Sequence, residues 1–251
     1  MIDALYERMA LPDSCHLGKR VFKSLFHENA VLGVTDKKAF RDDIDTIMWQ
    51  YTLKPTTIPI AAYEDDTREY LEVALLQVSL QTPQRIGRIA EIIHRAIPYP
   101  LIVAFSWESK CALSVAHKRF SQAEKGAIVA EDVRTTRWID LEKPTALEEE
   151  FLGSLAVPHL PHTHFYAFYS ALMDRCIALE CALLTGRYSP NVAPEQREAR
   201  LNCLAASRAL EDRIAERKAA IRTETQFNRQ VELNAEIKRL ELELRQMAAG
   251  L

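Results

Sequence analysis

The chain has 251 residues, 48% of them hydrophobic, enough for one large core or two modest ones, which argues against disorder along its whole length. Lys plus Arg number 32 against 35 Asp plus Glu, a net charge of -3, whereas a protein held on DNA mainly by phosphate neutralisation carries a clear basic excess. The cysteines lack C-x-x-C spacing, the N-terminal MIDALYERMALPD lacks a signal-peptide pattern, and no run approaches the roughly 18 apolar residues of a membrane span, so a reduced, cytoplasmic protein is expected.

Taken in chain order, Thr35 is placed to cap a helix in which Phe40, Ile44, Ile47 and Tyr51 recur at helical spacing, until Pro55 forbids continuation. Tyr70 to Leu80 is β-branched and nearly all apolar, as a central strand covered on both faces should be, with Glu72 and Gln77 its only strongly polar members. A second helix gathers Ile86, Ile89, Ile92 and Ile93 and stops at Ile97-Pro98-Tyr99-Pro100. LIVAFSW (101–107) reads as a buried strand, joined by a hairpin at Glu108-Ser109-Lys110 to CALSVAHKRF. AIVAE (127–131) and RTTRWI (134–139) supply two more strands. The expected fold over residues 1–140 is therefore α/β, a mixed sheet with packed helices.

Residues 141–162, acidic and then Pro- and His-containing, read as a linker, and residues 163–251 as a helical arm. Thr163 can cap a helix whose apolar stripe runs from Phe165 through Tyr169, Met173 and Ile177 to Leu184, with Gly186 as C-cap. Beyond Pro190 to Pro194 neither Gly nor Pro occurs until Gly250, which predicts a long helix broken once near Thr223 to Thr225. Within it Leu233, Ile237, Leu240, Leu244 and Met247 alternate by four and three, a short coiled-coil-like seam of about two heptads. Such a seam pairs either with an earlier helix in an antiparallel hairpin or with a partner, a second copy included.

The residues raise three chemistries. A metal-dependent nuclease wants acids on neighbouring strands and a lysine near the scissile phosphate, but the central strand offers Gln77-Val78-Ser79 where an acid-x-lysine pair belongs, leaving Asp43, Asp45 and Glu72 as acids for a divergent version. His162 and His164 alternate beside the linker, and His16, His27, His94 and His117 are scattered without an H-E-x-x-H or paired-Cys context, so no metal site is expected. No glycine-rich phosphate cradle or nucleophile elbow is present, and neither a catalytic residue nor a cofactor is assigned. The third chemistry is nucleic-acid contact, with Lys118 and Arg119, Lys19 and Arg20, and Arg134 and Arg137 as candidate phosphate-binding cations near Phe120 and Trp138.

Several segments carry a resemblance: K-R-x-F at Lys19 to Phe22, F-x-x-x-I-x-x-I-x-W-x-Y-x-L-x-P-x-T-I from Phe40 to Ile58, the strand around Gln77, R-A-I-P-Y-P-L-I from Arg95, H-K-R at 117–119, R-T-T-R-W at 134–138, and Gln226 to Leu240. In order and through nearly the whole chain they resemble the uncharacterised bacterial domain-of-unknown-function family 4391. The resemblance implies genes set beside SNF2-like helicases and site-specific DNA methyltransferases, and it transfers no catalytic residue. On that basis the expected role is a non-enzymatic accessory subunit of an anti-phage or restriction-modification-like system. It would bind a helicase or DNA methyltransferase of the same operon through the Leu233 to Met247 seam. A divergent nuclease and a DNA-binding specificity factor are the alternatives.

Overall fold

The computed structural model describes residues 2–29, 32–123, 126–191 and 194–248; Val192, Ala193 and Gly250, which the reading above used, lie outside them, as does the side chain of His27. Helix α1 (Asp3–Met9) is followed by strand β1 (His16–Arg20) and the short helix α2 (Ser24–Asn29). The predicted helix from Thr35 to Lys54 is only half helical: α3 (Val34–Asp42), capped by Gly33 rather than Thr35, gives way to strand β2 (Ile44–Leu53). The cause is local. β2 carries irregularities between Ile44 and Thr46 and between Trp49 and Tyr51. The first bulge inserts a residue, so Ile44 and Ile47 face the same side three residues apart, as on a helix; the second turns Tyr51, opposite Leu75, to the other side.

The predicted strand Tyr70 to Leu80 also divides. Glu69–Tyr70 (β4) pairs with Tyr63–Glu64 (β3), while Val73–Leu80 is β5, and Glu72 sits between them outside any strand. Helix α4 (Ile86–Ala96) crosses over to β6 (Leu101–Trp107), which runs parallel to β5 and coincides with LIVAFSW. A tight turn with Glu108 at φ 51° leads into β7 (Lys110–Phe120), then β8 (Ile128–Thr135) and β9 (Ile139–Asp140). AIVAE and the start of RTTRWI are thus one strand, and Arg137 lies beyond its end. The sheet order is β1-β2-β5-β6-β7-β8, with β9 also on β7; all neighbours are antiparallel except β5 and β6. Ala74, Leu76, Val78, Leu101, Val103 and Phe105 turn one face of this mixed sheet toward Phe40, Ile89 and Ile93 of α3 and α4.

The opposite face receives α1 and the segment expected to be a linker. That segment holds a helix, α5 (Ala146–Ser154), capped by the Thr145 hydroxyl and the Glu148 carboxylate, with Phe151 and Leu152 fully buried and Arg8 of α1 paired with Glu149. Helix α6 (Phe165–Thr185) is capped by the ring of His164, whose Nδ1 accepts from the Ala167 amide at 3.1 Å, in place of the expected Thr163. Tyr169 anchors its first turns, accepting from the Ala116 amide at 2.9 Å and donating to the Leu101 carbonyl.

By contacts the chain forms two units, Met1–Cys176 and Ile177–Leu251, with the boundary inside α6 rather than at residue 163. In the second unit, α7 (Pro194–Thr223) and α8 (Phe227–Ala248) meet at the predicted break. Arg217 pairs with Glu236 and Lys218 with Glu241, while Ser207 reaches Met247, so the helices are antiparallel. Leu210 and Ile214 pack against Ile237 and Leu240, with Leu244 and Met247 partly buried beside them. We predict that Leu240→Ala lowers the stability of this hairpin by about 2 kcal/mol, the small end of the buried-leucine range because a two-helix contact relaxes easily. Urea titration followed by helical circular dichroism checks it; a loss under ~0.5 kcal/mol would contradict the packing.

All five cysteines are free thiols, Cys15, Cys111, Cys176 and Cys181 buried and Cys203 half-buried. No described helix is long and apolar enough to cross a membrane.

Candidate functional site

Alternation along β5 sends Gln77 and Ser79 to the face opposite the α4 core, and their partners are neutral throughout. The Gln77 Oε1 accepts from the Tyr6 hydroxyl at 3.0 Å and from the Gln50 amide at 2.8 Å, and its Nε2 donates to Ser79 Oγ at 3.2 Å. Ser106 of the neighbouring parallel strand donates to the same Ser79 oxygen at 3.3 Å. Burial pushes the Tyr6 hydroxyl far up, which keeps it a donor. The row from α1 across β2, β5 and β6 is therefore a closed set of uncharged hydrogen bonds.

The acids of the divergent nuclease do not converge. Asp45 stands on β2 between the partners of Leu80 and Ser79, whereas Glu72 precedes Val73 at the other end of β5. Seven residues of strand separate the two levels, roughly 23 Å. Asp43 is buried and spent on Arg85, at 2.8 Å. Among the described residues no group of three His, Cys, Asp or Glu side chains could hold a metal ion. Those histidines that stand close to other groups have structural partners: His162 meets the Val157 carbonyl, and His117 shares a 2.7 Å hydrogen bond with Tyr70.

The six candidate cations meet three different fates. Lys118, only 2% exposed, is drawn inside, where its Nζ donates to the His94 carbonyl and, at 2.8 Å, to the Ile97 carbonyl. It thus satisfies the last turn of α4, where carbonyls lack helical partners and the dipole favours a cation. Burial pulls its ammonium down to about 7, and burial together with that neighbouring amine takes His94 down to about 3. Arg119 is neutralised by Glu131, and Arg134, itself buried, by Asp132 at 2.9 Å. Arg137 is exposed beyond β8. Lys19 and Arg20 lie on β1, at the far edge of the sheet from β8, five strand spacings or about 24 Å away. One continuous basic surface does not form.

At that far edge lies an open cleft of about 350 Å³. Val21, Phe26, Trp49, Ile97 and Pro98 make its apolar lining, with Lys19, Arg20 and Tyr99 also bordering it. The Trp49 Nε1 is committed to Thr52 Oγ1 at 2.8 Å, and its ring meets Tyr99 edge to face at 6.3 Å. The sequence set Trp49 in a predicted helix and Pro98 at a helix stop, with no means of pairing them, because the cleft joins β2 to the end of α4.

The model for the family described as Domain of unknown function (DUF4391) matches residues 9–244. The chain belongs to that family. The match spans β1, the cleft, Gln77 and Ser79 of β5, α7 and α8 as far as Leu244, and leaves out Tyr6. Among curated proteins and among solved structures nothing matches the chain.

Proposed function

We propose that this DUF4391 protein is a cytoplasmic, non-enzymatic accessory subunit of a bacterial anti-phage or restriction-modification-like system, bound to a helicase or DNA methyltransferase. The observation that carries the reading is the neutral row at Gln77. Where a nuclease of this sheet type would need a carboxylate and a lysine, the strand presents an amide and a hydroxyl already satisfied by Tyr6, Gln50 and Ser106. The system and the partner class rest on the resemblance drawn from the sequence.

The docking element of this reading is the helical arm, with one change of residues. Ile237 and Leu240 pack against α7 and Leu233 is buried as well, so they build the hairpin, and the partner meets the other side of α8. There Phe227, Val231 and Leu242 are half exposed or more and fall within about 60° on the helical wheel. A tagged full-length chain is expected to co-purify with the helicase or methyltransferase encoded beside it. The Phe227→Ser, Val231→Ser, Leu242→Ser triple variant should lose that partner while keeping its helicity. A wild-type chain that purifies alone beside the co-expressed partner would end the proposal.

A further inference from the structure

We propose a binding site that is independent of the accessory role: the cleft between β1 and the end of α4 takes a nucleotide, its base in the apolar floor and its phosphate on Lys19. Three observations lead there. First, the charged residues that border the cleft among the described residues are Lys19 and Arg20, with no carboxylate; Lys19, opposite Trp49, shares the face of the apolar floor, while Arg20, opposite Met48, starts from the other face, so the field near Lys19 suits an anion. Neither side chain makes a hydrogen bond or ion pair to a described residue, in contrast to Arg119 and Arg134. Second, the floor is apolar and bordered by Trp49 and Tyr99, whose edge-to-face contact leaves flat ring surface for a third ring to stack upon. Tyr99 is 47% exposed despite its size, and Phe22 and Leu25 beside the cleft are exposed as well. Third, about 350 Å³ is the low end of ligand pockets, suited to one ring system and its sugar rather than a long chain.

A phosphate-bearing base comes either as a free nucleotide or as one unpaired residue of a single strand. Aromatic faces beside unpaired cations are the pattern by which single strands are held without sequence preference. Base pairing in a duplex would hide the ring, so a duplex should bind less well.

The test uses the full chain and fluorescence anisotropy with a labelled 15-mer of thymidylate, competed by thymidine monophosphate, by the same strand in duplex and by dodecanoate. The single strand should bind, and the duplex should compete at least tenfold more weakly. If thymidine monophosphate displaces the probe at comparable concentration the natural source is a free nucleotide, and if only the oligomer does it is a strand; both support the site. Lys19→Ala should weaken binding about fivefold or more and reduce the salt slope by about 0.7, whereas Arg20→Ala should change affinity less than about twofold. Tyr99→Ala should weaken it about fivefold or more with the salt slope unchanged. These residues are exposed, so melting curves should match the wild type, and Lys238→Ala in the arm serves as an unaffected control. No binding of oligomer or nucleotide, binding untouched by the Lys19 change, or displacement by dodecanoate alone would each overturn the assignment.

Discussion

Lys118→Met is expected to flatten the rise in stability that the N-terminal unit shows on the alkaline side of neutrality. In the folded chain the amine titrates near 7, against 10.5 ordinarily, because burial penalises its charge. Between those values the unfolded chain holds a proton that the folded one has released, so stability increases with pH across the window. The cost of burying the ammonium is complete below 7 and gone above 10.5. At about 1.4 kcal/mol per pH unit, the wild type should gain about 5 kcal/mol over the full span relative to the variant. Trp49, Trp107 and Trp138 all lie in this unit, so urea titrations followed by tryptophan fluorescence at pH 7, 8 and 9 read it without interference from the arm. Parallel pH profiles for the two proteins would remove the argument. His94 adds a second, acidic limb. Its imidazole titrates near 3 in the fold, so stability should fall as pH drops from 6.5 toward 3, when the unfolded chain alone takes up the proton.

Phe151→Ala should destabilise the same unit by about 3–5 kcal/mol, the cost of deleting a fully buried aromatic ring from a site that cannot collapse. A true linker would tolerate the change. The effect therefore decides whether residues 141–162 are part of the sheet's cover, as α5 and the Arg8 to Glu149 pair indicate. A loss below ~1 kcal/mol in urea titration would mean that α5 contributes nothing to the first unit.

How far the sequence could be read depended on whether one element's own pattern decided the matter. LIVAFSW is β6 residue for residue, because a short apolar run between Pro100 and a turn has few alternatives. The break between α7 and α8 falls at 224–226, where the reading put it. The stretch from Thr35 to Lys54 misled because a bulge set Ile44 and Ile47 of a strand on one face three residues apart, and α5 was hidden by the three glutamates before Phe151. The site was less legible than the fold. Lys118 has the look of a strand-end solubilising charge, and nothing near it in sequence tells that two carbonyls of α4 wait opposite. Gln77 was visible as a polar residue on an apolar strand, but Tyr6 and Gln50, its partners, come from segments 71 and 27 residues away. Trp49 and Tyr99 were each visible as aromatic positions, and only the crossover of α4 brings them to one cleft.

The free thiols also make each unit report on its own opening. Cys111 is shut in beneath α1, and its burial pushes it up to about 12, so an alkylating reagent reaches it only when that region breathes; Cys203, half exposed in the arm, should react first. Mass spectrometry of timed labelling would then give two separate clocks, one for each half of the chain. A ligand that tightens only one half would slow only its own clock.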